Sequence, residues 1–180
     1  MEIGTLDNSD VEAVAVEVAD IYRAAWEPTE FFTGLDDVAG FGSRLSAHAS
    51  NPGFKLCIAR DETAVGFAYG YASVSSGWWR RTVTSGMVAA EADRLFADCF
   101  EFAELAVVPD RQNRGLGSSL HDSLIDGLTH RTAMLSTQKA NAKAIRFYLS
   151  RGWSLVRSDF TFSSRPYPYV IMGLEVSPTH

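Results

Sequence analysis

One stretch of the chain combines residue types that could hold an anion and move a proton: Glu101-Phe-Ala-Glu-Leu-Ala-Val-Val-Pro-Asp-Arg-Gln-Asn-Arg-Gly-Leu-Gly117. Its pattern reads strand, loop, glycine turn, helix. Pro109 has no N–H and ends regular pairing after Val108. Gly115 and Gly117 allow positive φ and close approach of a ligand to the backbone. The N–H groups in the first turn of the next helix have no intrahelical acceptor. With the helix dipole they form an anion site, to which Arg111 and Arg114 add charge. The chemistry is that of a pyrophosphate cradle, and the plain alternative is a tight connection. Two rival phosphate motifs fail. A dinucleotide fingerprint needs a small residue where Leu120 stands. A P-loop needs a lysine that Gly117-Ser118-Ser119 lacks.

The elements around this stretch predict an α/β fold. Residues 2–6 read as a short edge strand. Asn8-Ser9-Asp10 offers cap oxygens to a helix over about 10–25, where Val11, Val14, Val18, Ile21 and Tyr22 recur at helical spacing. Asp36 and Asp37 open a second helix, which Asn51-Pro52-Gly53 stops. Residues 55–60 and 64–74 form a hairpin around Asp61-Glu62-Thr63. Residues 75–99 are the least patterned part, with a helix near 88–98. Then come a strand over 100–108, a helix over 115–128, a strand over 133–137 and a helix over 141–151. Strands over 152–162 and 169–176 complete the chain. Helices on either side of one sheet follow from this order.

Composition bounds the function. With 180 residues, 46% of them hydrophobic and 21% charged, the chain is sized for one domain, residues 1–180. The net charge of −6 argues against nucleic-acid binding and against an anionic membrane surface. No run is long and apolar enough to span a membrane, and the first residues carry no secretory pattern. Cys57 and Cys99, with no CxxC spacing, fit a reducing cytoplasm and no disulfide framework. His48, His121, His130 and His180 lack zinc-site spacing, so no metal is expected. Charge is nonetheless uneven: residues 111–165 balance at +6 and the remainder at −12. That asymmetry fits an anion held by the later segment and a cation approached by the rest.

Two motifs resemble the GNAT superfamily of acyl-CoA-dependent N-acyltransferases. Gln112-Asn113-Arg114-Gly115-Leu116-Gly117 is similar to its motif A, Gln/Arg-x-x-Gly-x-Gly/Ala. Downstream, Asn141, Ala144, Tyr148, Gly152 and Trp153 fall in register with motif B, Asn-x-x-Ala-x-x-x-Tyr-x-x-x-Gly-Phe/Trp. The two motifs are specific together and cover roughly residues 100–153. The resemblance implies a mixed, mostly antiparallel central sheet flanked by helices and splayed between its fourth and fifth strands. It implies acetyl-CoA as co-substrate. Asn113, Arg114, Gly115, Leu116, Gly117 and Ser118 would wrap the pyrophosphate, with Gln112 opening the motif. The backbone of Leu105, Ala106 and Val107 would pair with the pantetheine arm, and Asn141 would hydrogen-bond it. Tyr148 would sit near the thioester sulfur.

The chemistry of such a transfer can be argued separately. An alkylammonium of pKa about 10.4 is only about one part in a thousand nucleophilic at neutral pH. A carboxylate must therefore take its proton, directly or through water. Glu101 and Glu104 stand on the strand leading to the cradle. Strict alternation puts Glu101 with Ala103, Leu105 and Val107, and Glu104 with Phe102, Ala106 and Val108. A bulge would disturb that order, and relatives often have one here. We favour Glu104 for amine contact and keep Glu101 as the competing base. Some relatives place a base at the position of Ser136, which is not a base and argues against that branch. Tyr148 is the candidate acid for the departing thiolate; the plainer reading makes it a core residue beside Ile145 and Leu149.

Phe31, Phe32 and Tyr71, together with Trp26, Tyr69, Trp78 and Trp79, are candidates for an acceptor pocket, where aromatic rings could contact an amine. They could equally close the core. The expected partner is a small-molecule amine, with no nucleic acid and no membrane, and with a homodimer as the oligomeric alternative. The competing function is a non-catalytic acyl-CoA-binding sensor on the same fold.

Overall fold

The computed structural model describes residues 1–30, 38–165 and 167–176. Seven strands form one mixed sheet in the order β1-β2-β3-β4-β5-β7-β6. The strands are β1 (Glu2–Leu6), β2 (Lys55–Asp61), β3 (Thr63–Ala72), β4 (Cys99–Val107), β5 (Thr132–Gln138), β6 (Ser154–Phe160) and β7 (Tyr169–Glu175). The helices are α1 (Val11–Trp26), α2 (Phe41–Ala49), α3 (Trp78–Thr84), α4 (Ala89–Phe96), α5 (Leu116–Ile125) and α6 (Ala142–Leu149). The parallel ladder joins β4 to β5 over only Cys99↔Thr132, Phe100↔Ala133 and Glu101↔Met134, although β4 runs on to Val107 and β5 to Gln138.

The chain divides into two compact units, one of residues 1–71 and 103–128, the other of 72–102 and 129–180. In the first, β1, β2 and β3 pair antiparallel, with a bulge in β2 at Ala59/Arg60. Val18, Phe41, Leu45, Leu56 and Phe67 are fully buried in its core. These are the apolar positions that the helical and two-residue repeats bring to one side. Gly66 lets α5 seat closely: a Cβ there would lie 3.0 Å from Leu120 Cδ1 and 3.1 Å from the Ala106 carbonyl oxygen. In the second unit, β5 and β6 both pair antiparallel with β7. Val83, Phe96, Met134 and Ile171 anchor a core there.

Some local expectations change. Asp10 is the N-cap of α1 but makes no side-chain cap bond; its carboxylate turns back to accept from the Asp7 N–H at 3.2 Å. Residues 75–99 hold two helices rather than one. Helix α3 escaped the periodicity because its seven residues are too few to repeat, and only Val83 of them is buried. The opening of the second helix at Asp36 and Asp37 lies outside the described residues, as do Phe31 and Phe32.

Candidate functional site

In the first unit, β4 feeds a 3-10 turn at Pro109–Arg111 and then α5. Asn113 and Gly115 both have left-handed backbones, at φ 59 and φ 81. Gly115 is the N-cap of α5, and the first bond of the helix runs from the Ser119 N–H to the Gly115 carbonyl at 3.0 Å. The N–H groups of Leu116, Gly117 and Ser118 therefore precede any intrahelical acceptor. A Cβ on Gly115 would meet no heavy atom within 4 Å, so the turn faces open space. Leu116, Leu120 and Leu124 are buried and hold the helix down. At its other end the Lys55 ammonium donates to the carbonyls of Ser123 (2.7 Å), Leu124 (3.2 Å) and Asp126 (2.7 Å). A cation there complements the helix dipole whose positive end is the cradle.

Two cradle residues are braced from within. The Gln112 amide donates to the Val107 carbonyl at 2.9 Å, which ties the loop to the end of β4. Arg111 forms an ion pair with Asp61 at 2.6 Å, so its charge is shared with the β2–β3 hairpin instead of standing open to an anion. Arg114 is exposed and enters no ion pair among the described residues. Of the β4 positions, Ala106 and Val107 are buried and Leu105 is half-buried.

Glu104 is half-buried on β4. Ala103, Ala106 and Val108 all pack against the same core cluster. Glu104 acts electrostatically on Arg44, which sequence reasoning missed, and on Tyr69, which it named among the aromatic candidates. The Arg44 guanidinium lies over the rings of Tyr22 (5.4 Å) and Phe41 (5.1 Å). Burial would lower the Arg44 pKa, but the Glu104 carboxylate, helped by Tyr22 and Tyr69, raises it overall. Burial, and then Glu104, push the Tyr69 phenol up. His48 Nδ1 is 3.1 Å from the Tyr69 hydroxyl, and its ring is 4.8 Å from that of Tyr71. Burial, reinforced by Arg44, lowers His48 to about 4, so it is neutral at pH 7. Tyr71 is 7% exposed and belongs to the core cluster. Arg44 and His48 are four residues apart on α2, a helical-face signal in the sequence; their neighbours on β3 and β4 leave no local trace.

In the second unit, Glu101 is 5% exposed and accepts a 2.6 Å hydrogen bond from the Ser73 hydroxyl. Arg80 donates to the Ser73 carbonyl at 3.3 Å. The Cys99 thiol is pushed up to about 12, first by burial and then by Glu101 among other charges. Tyr148 is 8% exposed, with its ring edge-on to Phe102 (5.9 Å) and Trp153 (5.5 Å). Asn141 caps α6: its Oδ1 accepts the Ala144 N–H at 3.1 Å. The oxygen keeps its second lone pair and the amide nitrogen its two N–H donors. Ser136 accepts a hydrogen bond from the Trp79 indole at 3.1 Å. Among the described residues no group of His, Cys, Asp and Glu is arranged for a metal ion. No described helix is long and apolar enough to cross a membrane.

Residues 15–153 match the family model of the Acetyltransferase (GNAT) family, and the chain belongs to that family. It is 32% identical over 117 residues to a GCN5-like protein acetyltransferase of Mycobacterium tuberculosis, covering 61% of this chain. The match spans little more than half of that relative, 57% of its length. The fold is similar to that of aminoglycoside 6'-acetyltransferase type Ii, with a TM-score of 0.69, 16% identity and all of both chains covered. It is also similar to an aminoglycoside 6'-N-acetyltransferase complexed with coenzyme A. There the TM-score is 0.64 at 15% identity, with 100% of this chain and 99% of the other covered.

Proposed function

We propose that the chain works as one acetyltransferase domain that passes the acetyl group of acetyl-CoA to a primary amine by direct attack, with both substrates bound. The observation that carries this reading is the cradle. Three consecutive N–H groups at Leu116, Gly117 and Ser118 stand at the positive end of a helix, behind a left-handed Gly115 with open space around its missing Cβ. Such a turn suits a pyrophosphate. Arg114 supplies charge at its rim, while Gln112 and Arg111 hold the loop in shape.

Glu104 takes the amine proton as the nitrogen attacks the thioester carbon. The N–C bond forms, the C–S bond breaks, and Tyr148 gives the leaving thiolate its proton. Glu104 is preferred to Glu101 because it is the less buried of the two. Glu101 is spent on the Ser73 hydroxyl inside the second unit. The acceptor is read as a small amine; the aminoglycoside enzymes and the mycobacterial protein acetyltransferase mark two acceptor classes to try.

The test is thiol release from acetyl-CoA with a panel of small amines, an aminoglycoside and a lysine peptide. Wild type should release thiol with at least one acceptor. Glu104→Gln should lower turnover most at neutral pH and recover partly at high pH, as free amine becomes abundant. Binding of CoA without acceptor-dependent thiol release would establish the sensor instead. A pH-dependent loss in Glu101→Gln but not in Glu104→Gln would exchange the two acids.

A further inference from the structure

The loop between β4 and α5 is tied to the β2–β3 hairpin by backbone and by side chain. The Val108 N–H donates to the Val65 carbonyl at 3.0 Å, and the Arg111 guanidinium donates to Asp61 Oδ2 at 2.6 Å. Both ends of the side-chain tie are themselves fixed. Asp61 is the last residue of β2 and pairs with Thr63 across Glu62 alone, whose φ is 65. Arg111 closes the 3-10 turn, and its N–H donates to the Val108 carbonyl at 3.0 Å. The other carboxylate near Arg111, that of Asp110, lies 3.7 Å away, too far for a hydrogen bond. Among the described residues Asp61 has no other ion-pair partner. Beyond this tie the chain enters left-handed backbone at Asn113 and again at Gly115. For Asn113 that conformation costs free energy and persists where the surroundings hold it.

We propose that Asp61 is a positioning residue for the cradle: through its ion pair with Arg111 it holds the loop so that the N–H groups of Leu116, Gly117 and Ser118 stay aimed at one place. The inference rests on the reading of that turn as the pyrophosphate site. It changes the part given to Arg111, which acts on the ligand through the loop it holds and not through its charge. The two parts differ in sign. If the charges acted on the phosphates through their field alone, removing Arg111 would weaken CoA binding and removing Asp61 would tighten it. A brace fails when either partner is lost, so both removals weaken binding. Removing the two together leaves the local net charge as it was and takes away only the brace. The pair is half-exposed, at 37% and 40%. Its worth is that of a surface ion pair, at most about fivefold in affinity, or about 1 kcal/mol.

The test titrates full-length variants with CoA by isothermal calorimetry. The double variant Asp61→Ala/Arg111→Ala should bind CoA about three- to fivefold more weakly than wild type. Asp61→Asn and Asp61→Ala carry the same charge, but Asn keeps an oxygen for Arg111 to donate to. Asp61→Asn should therefore recover part of the affinity that Asp61→Ala loses. In NMR, the ¹⁵N heteronuclear NOE of the Asn113 and Gly115 amides should fall in the double variant, while Leu120 and Leu124 keep theirs. A double variant within about twofold of wild type overturns the proposal. So does an Asp61→Ala that binds CoA more tightly than wild type, or an unchanged NOE at Asn113 and Gly115. Should the double variant fail to fold, the two Asp61 variants carry the test, and equal Kd values in them overturn the brace. Gly115→Asp checks the underlying reading separately. If it loses CoA while the double variant keeps it, the cradle stands and the brace is wrong. If it binds CoA as wild type does, the cradle is wrong and the positioning role falls with it.

Discussion

Gly115→Asp separates the cost of a strained turn from the loss of a ligand site. Gly115 sits at φ 81, where a side chain costs about 1–2 kcal/mol. Asp tolerates that region better than most residues, so the low end applies. The new Cβ meets nothing within 4 Å, so no steric term is added. Stability should fall by about 1 kcal/mol, a drop of roughly 2–4 °C in Tm for a chain of this size. Binding should fall much further. A hydrogen bond to a charged group is worth about 1.5–3 kcal/mol, and two lost phosphate contacts amount to about 3–6 kcal/mol. Each 1.4 kcal/mol is about tenfold, so CoA should bind at least about 10²-fold more weakly. The added carboxylate repels the phosphates as well. Gly115→Ala, which carries strain without charge, should stay within about tenfold of wild type. Isothermal calorimetry with CoA measures the affinities, and thermal melts measure the strain. A wild-type Kd for CoA in Gly115→Asp would show that the pyrophosphate does not lie at this turn.

Three further expectations follow from particular contacts. Lys55→Met removes a cation that donates to three carbonyls at the end of α5, and should cost about 2 kcal/mol in urea unfolding; a change below about 0.5 kcal/mol would mean that water replaces it without loss. Tyr148→Phe keeps the ring against Phe102 and Trp153, so CoA affinity and Tm should hold while kcat falls about 10–10²-fold. Full turnover in that variant, with chemistry rate-limiting, would make Tyr148 a packing residue. His48 titrates near 4 in the fold against 6.5 in the open chain, so the unfolded state takes up its proton first as pH falls. Its contribution is therefore complete above about pH 6.5 and drains away as pH falls to 4, by roughly 3 kcal/mol. His48→Gln should flatten the stability profile in that window, and an unchanged profile would show His48 to be solvated.

The motif residues were legible because their roles are backbone roles. Gly115 takes a left-handed turn and Gly152 another, whatever lies across the molecule; Asn141, read as a contact for the pantetheine arm, caps α6. The strands and the longer helices were legible for a related reason: a repeat of about two or 3.6 residues marks a buried face. Helix α3 was lost because seven residues with one buried position carry no repeat. The aromatic candidates fared unevenly. Tyr71 lies in the core beside His48, while Phe31 and Phe32 are outside the described residues.

The sequence by itself determined the glycine turn, its helix, the order of the elements and the two acids on β4. Each of these depends on neighbours within a few residues, or on a repeat that a few turns of chain display. Only the tertiary structure decided which partner each charge meets. Arg111, assigned by its spacing to an incoming anion, is paired with Asp61, which lies 50 positions earlier. Glu101 and Glu104 look alike in sequence. One ends under the Ser73 hydroxyl, and the other ends where it acts on Arg44 and Tyr69. Alternation along a strand names a face but not the residue that folding brings against it. Electrostatic partnership depends on distance in space, and for these charges the chain sets that distance only when the whole sheet has formed.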